Sequence, residues 1–157
     1  MNKEFIRVRS VKDIVIFVST IAAGCVLVAL PTGAGVNVAG FCLMFAGLIL
    51  ALVMKTGYKD VETGDKYFKK EFFFQQAMNA AISSAIATKP DSVDLSEEDK
   101  GNAVRLDVYY SKRVGKAYLQ LFEYVPYKYE PCSAMFEHEI SKVGKLIGQR
   151  LLYGYSE

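Results

Sequence analysis

The chain has 157 residues, of which 52% are hydrophobic and 23% charged, with a formal net charge of +2 at pH 7. This length accommodates one ordinary domain, or a membrane anchor joined to one small domain. The charges are unevenly distributed: no acidic or basic side chain lies between Asp13 and Lys55, while residues 55–157 carry 15 basic and 15 acidic side chains. Because this C-terminal part is neutral, we expect no nucleic acid partner.

The first 13 residues carry the whole positive excess. Their charged side chains are Lys3, Arg7, Arg9, Lys12, Glu4 and Asp13. A basic segment directly before an apolar run is typical of a chain that contacts a membrane surface. The sequence therefore predicts a basic cytoplasmic tail over residues 1–13.

Two long apolar runs follow, over residues 14–30 and 36–54. As helices of 17 and 19 residues they would be about 25 and 28 Å long, close to the ~30 Å hydrocarbon core of a bilayer. The connection at residues 31–35 is uncharged and rich in turn-forming residues. The pattern predicts a two-helix transmembrane hairpin over residues 14–54, with its tip at 31–35.

Two other interpretations of these runs fit less well. Two buried helices of a soluble bundle would normally show a polar stripe, and the rest of this chain is too small to surround both. A cleaved secretory signal would have a shorter apolar core and small residues at its end. The first run instead ends on Leu30 directly before Pro31, and a second spanning run follows it.

The distribution of basic residues predicts the orientation of the helical hairpin. Four basic side chains precede the first run, Lys55 and Lys59 follow the second, and the connection has none. Segments rich in Lys and Arg remain in the cytoplasm. We therefore expect an integral, two-span protein of the cell inner or plasma membrane, with both termini cytoplasmic and with membrane lipid as one partner.

Small residues recur in both runs at spacings that allow close helix packing. Gly33, Gly40 and Gly47 are seven residues apart, and Gly47–Ala51 and Ser19–Ala23 have the i, i+4 spacing. Helices in lipid associate through close backbone approach at such positions. Two interpretations follow: a seam that contacts another chain, or packing of the two helices on each other within one chain.

After a linker at residues 55–64, the sequence predicts a helix that begins at Asp65 and ends before Pro90. Its first turns interleave lysines with aromatic residues, which is typical of a helix in the headgroup layer of a membrane. The candidate membrane-interface residues are Lys66, Lys69, Lys70, Phe72 and Phe73. In the alternative interpretation the lysines are solvated and the aromatic side chains belong to the domain core.

Two strands and a second helix complete the predicted cytoplasmic α+β domain over residues 65–157, with the order α-β-β-α. Residues 103–111 and 117–125 alternate with a period of two, and Gly115 suits the turn between them. A helical face begins near Ser133 and consists of Phe136, Ile140, Val143, Ile147 and Leu151. Since a two-stranded sheet is marginal, we expect a homo-oligomer in which the sheet continues across a symmetry axis.

The sequence contains no arrangement of side chains that predicts a catalytic, metal or cofactor site. Cys25 and Cys42 lie inside the spans, and Cys132 stands alone in the cytoplasmic part. A nucleophile–base pair of Cys132 and His138 lacks an orienting third group, and one Cys with one His cannot make a zinc site. We expect a surface histidine, no metal, no cofactor and no enzymatic activity.

The sequence favours an accessory or scaffold protein, anchored by two spans, whose small domain contacts another protein or a second copy of itself. Tyrosine is enriched at protein interfaces, and the outward face of the second strand is aromatic. The candidate interaction face consists of Tyr118, Phe122 and Tyr124. The alternative is a membrane-active oligomer, pore-forming or holin-like, that its soluble domain regulates.

Overall fold

The computed structural model describes residues 3–31 and 33–148. The chain forms two compact units. One contains residues Ile6–Tyr58, and the other contains the residues up to Phe5 together with those from Lys59 onward. We call them the helical unit and the sheet unit.

The helical unit contains two long helices, α1 (Val11–Ala29) and α2 (Ala34–Val53). Both are long and apolar enough to span a membrane, and only 11% of the residues in each apolar segment are buried. Large apolar side chains such as Phe41, Phe45 and Leu52 are more than half exposed. A core helix of a soluble protein would bury most of such side chains.

Three glycines allow α1 and α2 to pack closely. A Cβ on Gly40 would lie 2.8 Å from the carbonyl oxygen of Gly24, and a Cβ on Gly24 would lie 2.7 Å from that of Gly40. A Cβ on Gly47 would lie 2.5 Å from the Ile21 side chain. Gly40 and Gly47 therefore pack within one chain, which is the second of the two interpretations of their spacing.

The other candidate packing residues differ in their surroundings. Gly33 lies before α2 with φ of 116°, and nothing lies within 4 Å of a Cβ built there, so it serves the turn rather than the helix contact. Ser19 and Ala23 are exposed, and the Ser19 hydroxyl donates to the Ile16 carbonyl oxygen at 3.0 Å. Ala51 is partly buried.

Asp13 ties the two ends of the helical hairpin together. Its side chain is 1% exposed and accepts hydrogen bonds from the Ser10 amide at 2.8 Å and from the Thr56 amide and hydroxyl at 2.9 and 2.6 Å. Ser10 in turn caps α1 by accepting from the Asp13 amide, which completes a capping box. The start of α1 and the residues after α2 are thus joined by one carboxylate, which we call the Asp13 clasp.

The described residues form a seven-stranded sheet with the order β1-β2-β3-β4-β5-β6 and with β7 also paired to β5; β3 to β7 lie in the sheet unit. The strands are β1 (Phe5–Val8), β2 (Gly57–Asp60), β3 (Lys66–Phe74), β4 (Val104–Ser111), β5 (Lys116–Val125), β6 (Lys128–Pro131) and β7 (Phe136–Glu139). The helices are α3 (Asn79–Thr88) and α4 (Gly144–Ile147), and short 3-10 turns occupy Gln76–Met78, Pro90–Ser92, Leu95–Glu97 and Ile140–Val143. β1 and β2 each contain residues of both units.

The central β-hairpin is confirmed and the flanking helices are largely wrong. β4 and β5 occupy the predicted segments, and Gly115 takes a φ of 76° in their turn. The helix predicted from Asp65 to before Pro90 is wrong over its first half and present over its second: residues 66–74 form β3, and α3 begins only at Asn79 and ends at Thr88. Aromatic residues favour strands, and pairing with β4 buries Phe72 and Phe74 on one face of the sheet.

The helix predicted from Ser133 is also wrong over its first turns. Residues Phe136–Glu139 form β7 on β5, and within the described part of this segment, up to residue 148, only Gly144–Ile147 are α-helical. Leu151 lies outside the described residues. Because β3, β6 and β7 extend the β4–β5 pair within one chain, the order α-β-β-α is not found, and the sheet needs no second copy to exceed two strands.

The helices cover one face of this sheet. The core there contains Phe72, Phe74, Val104, Leu106, Val108, Leu119 and Leu121 from the strands and Ile82, Ile86, Leu146 and Ile147 from α3 and α4. We call this the core face. The alternate side chains of β3, β4 and β5 point to the other side, which we call the outer face.

Part of the outer face is covered by the N-terminal residues of the same unit. The Phe5 ring stacks on Tyr109 at 4.3 Å between centroids and contacts the rings of Tyr67 and Tyr118 at 5.1 and 5.7 Å. Lys3 forms an ion pair with Asp60, which is fully buried. The predicted tail therefore has structure over residues 3–5.

Replacing Gly40 with Ala should separate α1 from α2, because the new methyl group meets backbone atoms at 2.8–2.9 Å. We expect a loss of about 1–3 kcal/mol in the free energy of helix separation. Energy transfer between dyes on Lys12→Cys and Lys55→Cys, in a chain without its natural cysteines, measures this during a detergent titration. Gly35→Ala is the matched control, since nothing lies within 4 Å of its Cβ. An equal effect of both substitutions would contradict the close packing.

The Lys3–Asp60 pair should make stability depend on pH. Burial alone would raise the pKa of Asp60, but hydrogen bonds from the Lys3 ammonium, the Glu62 amide and the Thr63 hydroxyl hold it below the ordinary 3.8. The hydrogen bond to Asp60 raises the pKa of Lys3 above 10.5. The pair therefore contributes fully to the free energy of unfolding between pH 3.8 and pH 10.5, the ordinary pKa values of the two groups. This contribution is lost below pH 3.8 as Asp60 gains a proton, and above pH 10.5 as Lys3 loses one.

We expect Asp60→Asn to lower stability at pH 7 by about 2 kcal/mol, the scale of a hydrogen bond to a charged group. The difference between the wild type and the variant should shrink as the pH falls below 3.8. Urea denaturation followed by the near-ultraviolet dichroism of tyrosine measures both. A difference that stays constant down to pH 2 would contradict the role of this carboxylate.

Candidate interaction surface

The pairing register brings charged side chains together in the middle of the outer face. Glu71 of β3, Asp107 of β4 and Gln120 of β5 are opposite one another. Asp107 is fully buried, and its carboxylate lies 2.7 Å from Lys69 Nζ and 2.9 Å from Arg105 Nε. Two cations thus hold one buried carboxylate in place.

These contacts perturb the titration of the cluster. Burial raises the pKa of Asp107, which the two neighbouring cations oppose. Burial alone would lower the pKa of Lys69, but its hydrogen bonds to Asp107 and Glu71 raise it above the ordinary value. Lys69 is therefore a charged member of an ion cluster inside the sheet unit.

An aromatic patch adjoins this cluster at the end of the sheet where β5 meets β6. We define the aromatic patch as Phe73, Arg105, Phe122, Tyr124 and Tyr129. The register places Phe73, Arg105 and Phe122 in one row across three strands, and Tyr124 opposite Tyr129. Tyr124 is 51% exposed, and Phe73, Phe122 and Tyr129 are half-buried.

Arg105 holds the rings of the patch in place. Its guanidinium lies 4.8 Å from the centroid of the Phe122 ring and 4.6 Å from that of Tyr129, while its Nε faces Asp107. The Tyr129 hydroxyl donates to the Asn102 carbonyl oxygen at 2.8 Å. Cation–π contacts and an ion pair thus position one Arg and two rings before any partner arrives.

Tyr127 occupies the tip of the β5–β6 hairpin in an unfavourable conformation. Val125 pairs with Lys128, so Pro126 and Tyr127 form a two-residue turn. Tyr127 has φ of 73° and is 97% exposed. A bulky residue rarely adopts positive φ, and this ring gains no burial in return. Folding of the chain alone therefore does not account for an aromatic residue at this position.

The structure separates the three residues of the predicted interaction face. Tyr118 is only 3% exposed, because Phe5, Tyr67 and Lys3 cover it. Burial raises its pKa above the ordinary value. Phe122 and Tyr124 remain accessible in the aromatic patch. Sequence periodicity placed all three on one face correctly but carried no signal of the N-terminal segment that covers one end.

The predicted membrane-interface residues divide between the two faces of β3. Lys66 is exposed, Lys69 belongs to the ion cluster, and Phe73 belongs to the aromatic patch. Phe72 lies in the core, and Lys70 is half-buried on the same face. This arrangement removes the helix on which a position in the headgroup layer rested. The alternative fits only in part, because Phe72 lies in the core but Lys69 is paired rather than solvated and Phe73 lies on the outer face.

Sequence reasoning missed Arg105, Asp107 and Tyr129. The polar side of the 103–111 alternation contained the first two, but nothing marked them as partners of a lysine far earlier in the chain. Tyr129 lies in a proline-bounded stretch that pairs only at the end of the sheet order.

The sulfur and imidazole side chains are not brought together. Cys132 is exposed, with its Sγ 4.0 Å from Asn79 Oδ1. His138 Nε2 lies 2.6 Å from the Ile86 carbonyl oxygen, so this histidine is a half-buried contact of α3 and not the free surface residue that we predicted. Cys25 and Cys42 are free and exposed. Among the described residues, no group of three or more His, Cys, Asp or Glu could hold a metal ion.

Comparison of the chain with models of protein families, with curated proteins and with solved structures finds no match.

The contrast between Tyr118 and Tyr124 predicts unequal effects of truncation. We expect Tyr118→Ala to lower the free energy of unfolding by about 3 kcal/mol, because it removes a buried ring from an aromatic cluster. Tyr124→Ala should change it by less than about 0.5 kcal/mol. Urea denaturation compares the two variants. Equal losses would contradict the burial of Tyr118 beneath Phe5.

Replacing Tyr127 with Gly should stabilise the sheet unit by about 1 kcal/mol, since glycine adopts positive φ without strain. Tyr127→Ala removes the ring but keeps the strained conformation, and should leave stability nearly unchanged. The difference between these two variants in the same denaturation experiment measures the strain. A destabilising Tyr127→Gly would show instead that the ring supports the fold.

Proposed function

We propose that this protein is a two-span, membrane-anchored accessory or scaffold protein whose cytoplasmic sheet unit binds another protein through the aromatic patch. The observation that supports this proposal best is the patch itself. It combines exposed Tyr124 with half-buried Phe73, Phe122 and Tyr129 around one prepositioned arginine. Tyrosine, phenylalanine and arginine are enriched at the centres of protein interfaces.

The chemistry of the patch defines the partner surface. Asp107 neutralises the charge of Arg105, and Lys128 pairs with Glu130 on β6, so the patch has little net charge. A surface of this kind suits an uncharged, apolar protein surface and not a polyanion. Contact through side chains is favoured over strand addition, because Pro131 ends β6 and lysine occupies its other end.

The membrane part of the proposal is supported by the helical unit. α1 and α2 expose apolar side chains around most of their surface. Basic residues precede α1 and follow α2, and the connection between the helices has none. By the positive-inside rule, both termini then lie in the cytoplasm. The sheet unit then faces the cytoplasm, and we propose a binding role without catalysis.

The membrane-active alternative receives less support. A pore-forming or holin-like oligomer needs a seam between chains. Gly40 and Gly47, the best candidates for such a seam, instead contact α1 of the same chain. We therefore propose a binding role in preference to a pore.

Photo-cross-linking of the full chain in native membranes tests this function. A photoreactive residue at Tyr124 should trap one reproducible protein, and Phe122→Ala should reduce the yield at least about fivefold. The control is the same reactive residue at exposed Lys112, in the β4–β5 turn, which should not trap that protein. A product of twice the chain mass identifies a second copy as the partner.

Three results would contradict different parts of the proposal. Equal cross-linking from Tyr124 and Lys112 would show that the aromatic patch has no particular partner. Leakage of a dye from liposomes that contain only the purified protein would favour the membrane-active alternative. Extraction of the protein by alkaline carbonate would contradict the two-span anchor separately.

A further inference from the structure

Basic side chains surround the base of the helical hairpin. Within residues 6–58 the charged residues are Arg7, Arg9, Lys12, Lys55 and Asp13. All four basic residues are exposed, and none forms an ion pair with a carboxylate of the described residues. The single acid is buried in the Asp13 clasp, where amides and a hydroxyl satisfy it. The exposed surface of this base is therefore cationic.

The Asp13 clasp brings these cations to one end of the hairpin. Lys12 is in the first turn of α1, and Lys55 follows the last residue of α2 by two positions. Ser10 lies two positions before Lys12, and Thr56 directly follows Lys55. The hydroxyl oxygens of Ser10 and Thr56 lie 3.0 Å apart. Basic residues at the start of α1 and after the end of α2 thus lie on one surface at the base of the helical hairpin.

Contacts with α1 and α2 hold Arg9 in place and leave other N–H donors of its guanidinium for a ligand. Its Nη2 donates to the Ala51 carbonyl oxygen in the last turn of α2, and its guanidinium lies 5.9 Å from the centroid of the Phe17 ring. Arg7 lies in the same way over the Tyr58 ring, at 6.0 Å. A guanidinium has five N–H donors, and its fork matches the geometry of a phosphate.

Apolar side chains begin directly beside these cations. Val11, Leu52 and Val53, at the same ends of α1 and α2, are 72%, 75% and 73% exposed. A ligand that satisfies this surface must offer negative charge at the level of Arg7, Arg9 and Lys12, and hydrocarbon immediately next to it. A soluble anion supplies only the first of these two properties.

We propose that the base of the helical hairpin is a binding site for anionic phospholipids, with Arg7, Arg9, Lys12 and Lys55 contacting the headgroup phosphates. This inference rests on the proposed membrane insertion of the hairpin. Basic residues beside a membrane surface each contribute about 1 kcal/mol to attraction by anionic lipid. Three of them together correspond to a preference on the order of one hundredfold over a zwitterionic lipid, of which the experiment should detect at least about tenfold.

Native mass spectrometry of the full chain in detergent tests the site, with phosphatidylglycerol or phosphatidylcholine as the added lipid. The wild type should retain phosphatidylglycerol at least about tenfold better than phosphatidylcholine. The triple variant Arg7→Gln, Arg9→Gln, Lys12→Gln should lose most of this preference. The control variant Lys89→Gln, Lys112→Gln, Lys142→Gln removes three exposed charges of the sheet unit and should keep it.

Competing outcomes overturn the proposal in distinct ways. Equal loss of preference in both variants would mean that net charge, and not this site, attracts the lipid. Displacement of phosphatidylglycerol by millimolar inorganic phosphate would identify a soluble anion as the ligand.

A chain that alkaline carbonate leaves in the membrane but that shows no lipid preference would overturn this site alone. A chain that carbonate extracts would overturn the membrane anchor as well. Unchanged far-ultraviolet dichroism shows that each variant is folded.

Discussion

The antiparallel pairing of β4 with β3 on one side and β5 on the other decides which side chains meet in the sheet unit. Phe72, Leu106 and Leu121 fall in one row on the core face, while Phe73, Arg105 and Phe122 fall in a row on the outer face. A register shift of one residue would exchange the two faces. Both the core and the aromatic patch therefore depend on this pairing.

The outer face shows how a sheet face with charged residues is stabilised without a covering helix. At one end, Phe5 packs among three tyrosines and Lys3 pairs with Asp60. In the middle, Lys69 and Arg105 neutralise buried Asp107. At the far end the aromatic patch is accessible, and there Arg105 orders the rings of Phe122 and Tyr129 through cation–π contacts. The accessible part of this face is thus prearranged by the buried part.

The helical unit is stabilised differently, because its outer surface is apolar and its two helices pack on each other at glycines. Gly24, Gly40 and Gly47 let α1 and α2 approach closely, and the Asp13 clasp closes the hairpin at its base. Because two amides and the Thr56 hydroxyl satisfy Asp13, its basic neighbours have no acidic partner among the described residues. The same contacts that close the hairpin therefore make its base cationic.

Local pattern in the sequence was sufficient for the features that depend on neighbouring residues. The two apolar helices follow from uninterrupted hydrophobicity, and β4 and β5 follow from a period of two with glycine in the turn. The glycine spacing indicated close helix packing, although Gly24 had to be found in the structure. No sequence feature distinguished packing within a chain from packing between chains.

Tertiary contacts decided the rest, because they join residues that are distant along the chain. Residues 66–74 suit a helix or a strand by composition, and pairing with β4, about 35 positions later, makes them a strand. Residues 136–139 become a strand because β5 offers them a free edge. Tyr118 and Tyr124 look alike in the sequence, yet Phe5 from the other end of the chain buries one and leaves the other exposed. Periodicity reports which face a side chain occupies, but only the folded chain determines what covers that face.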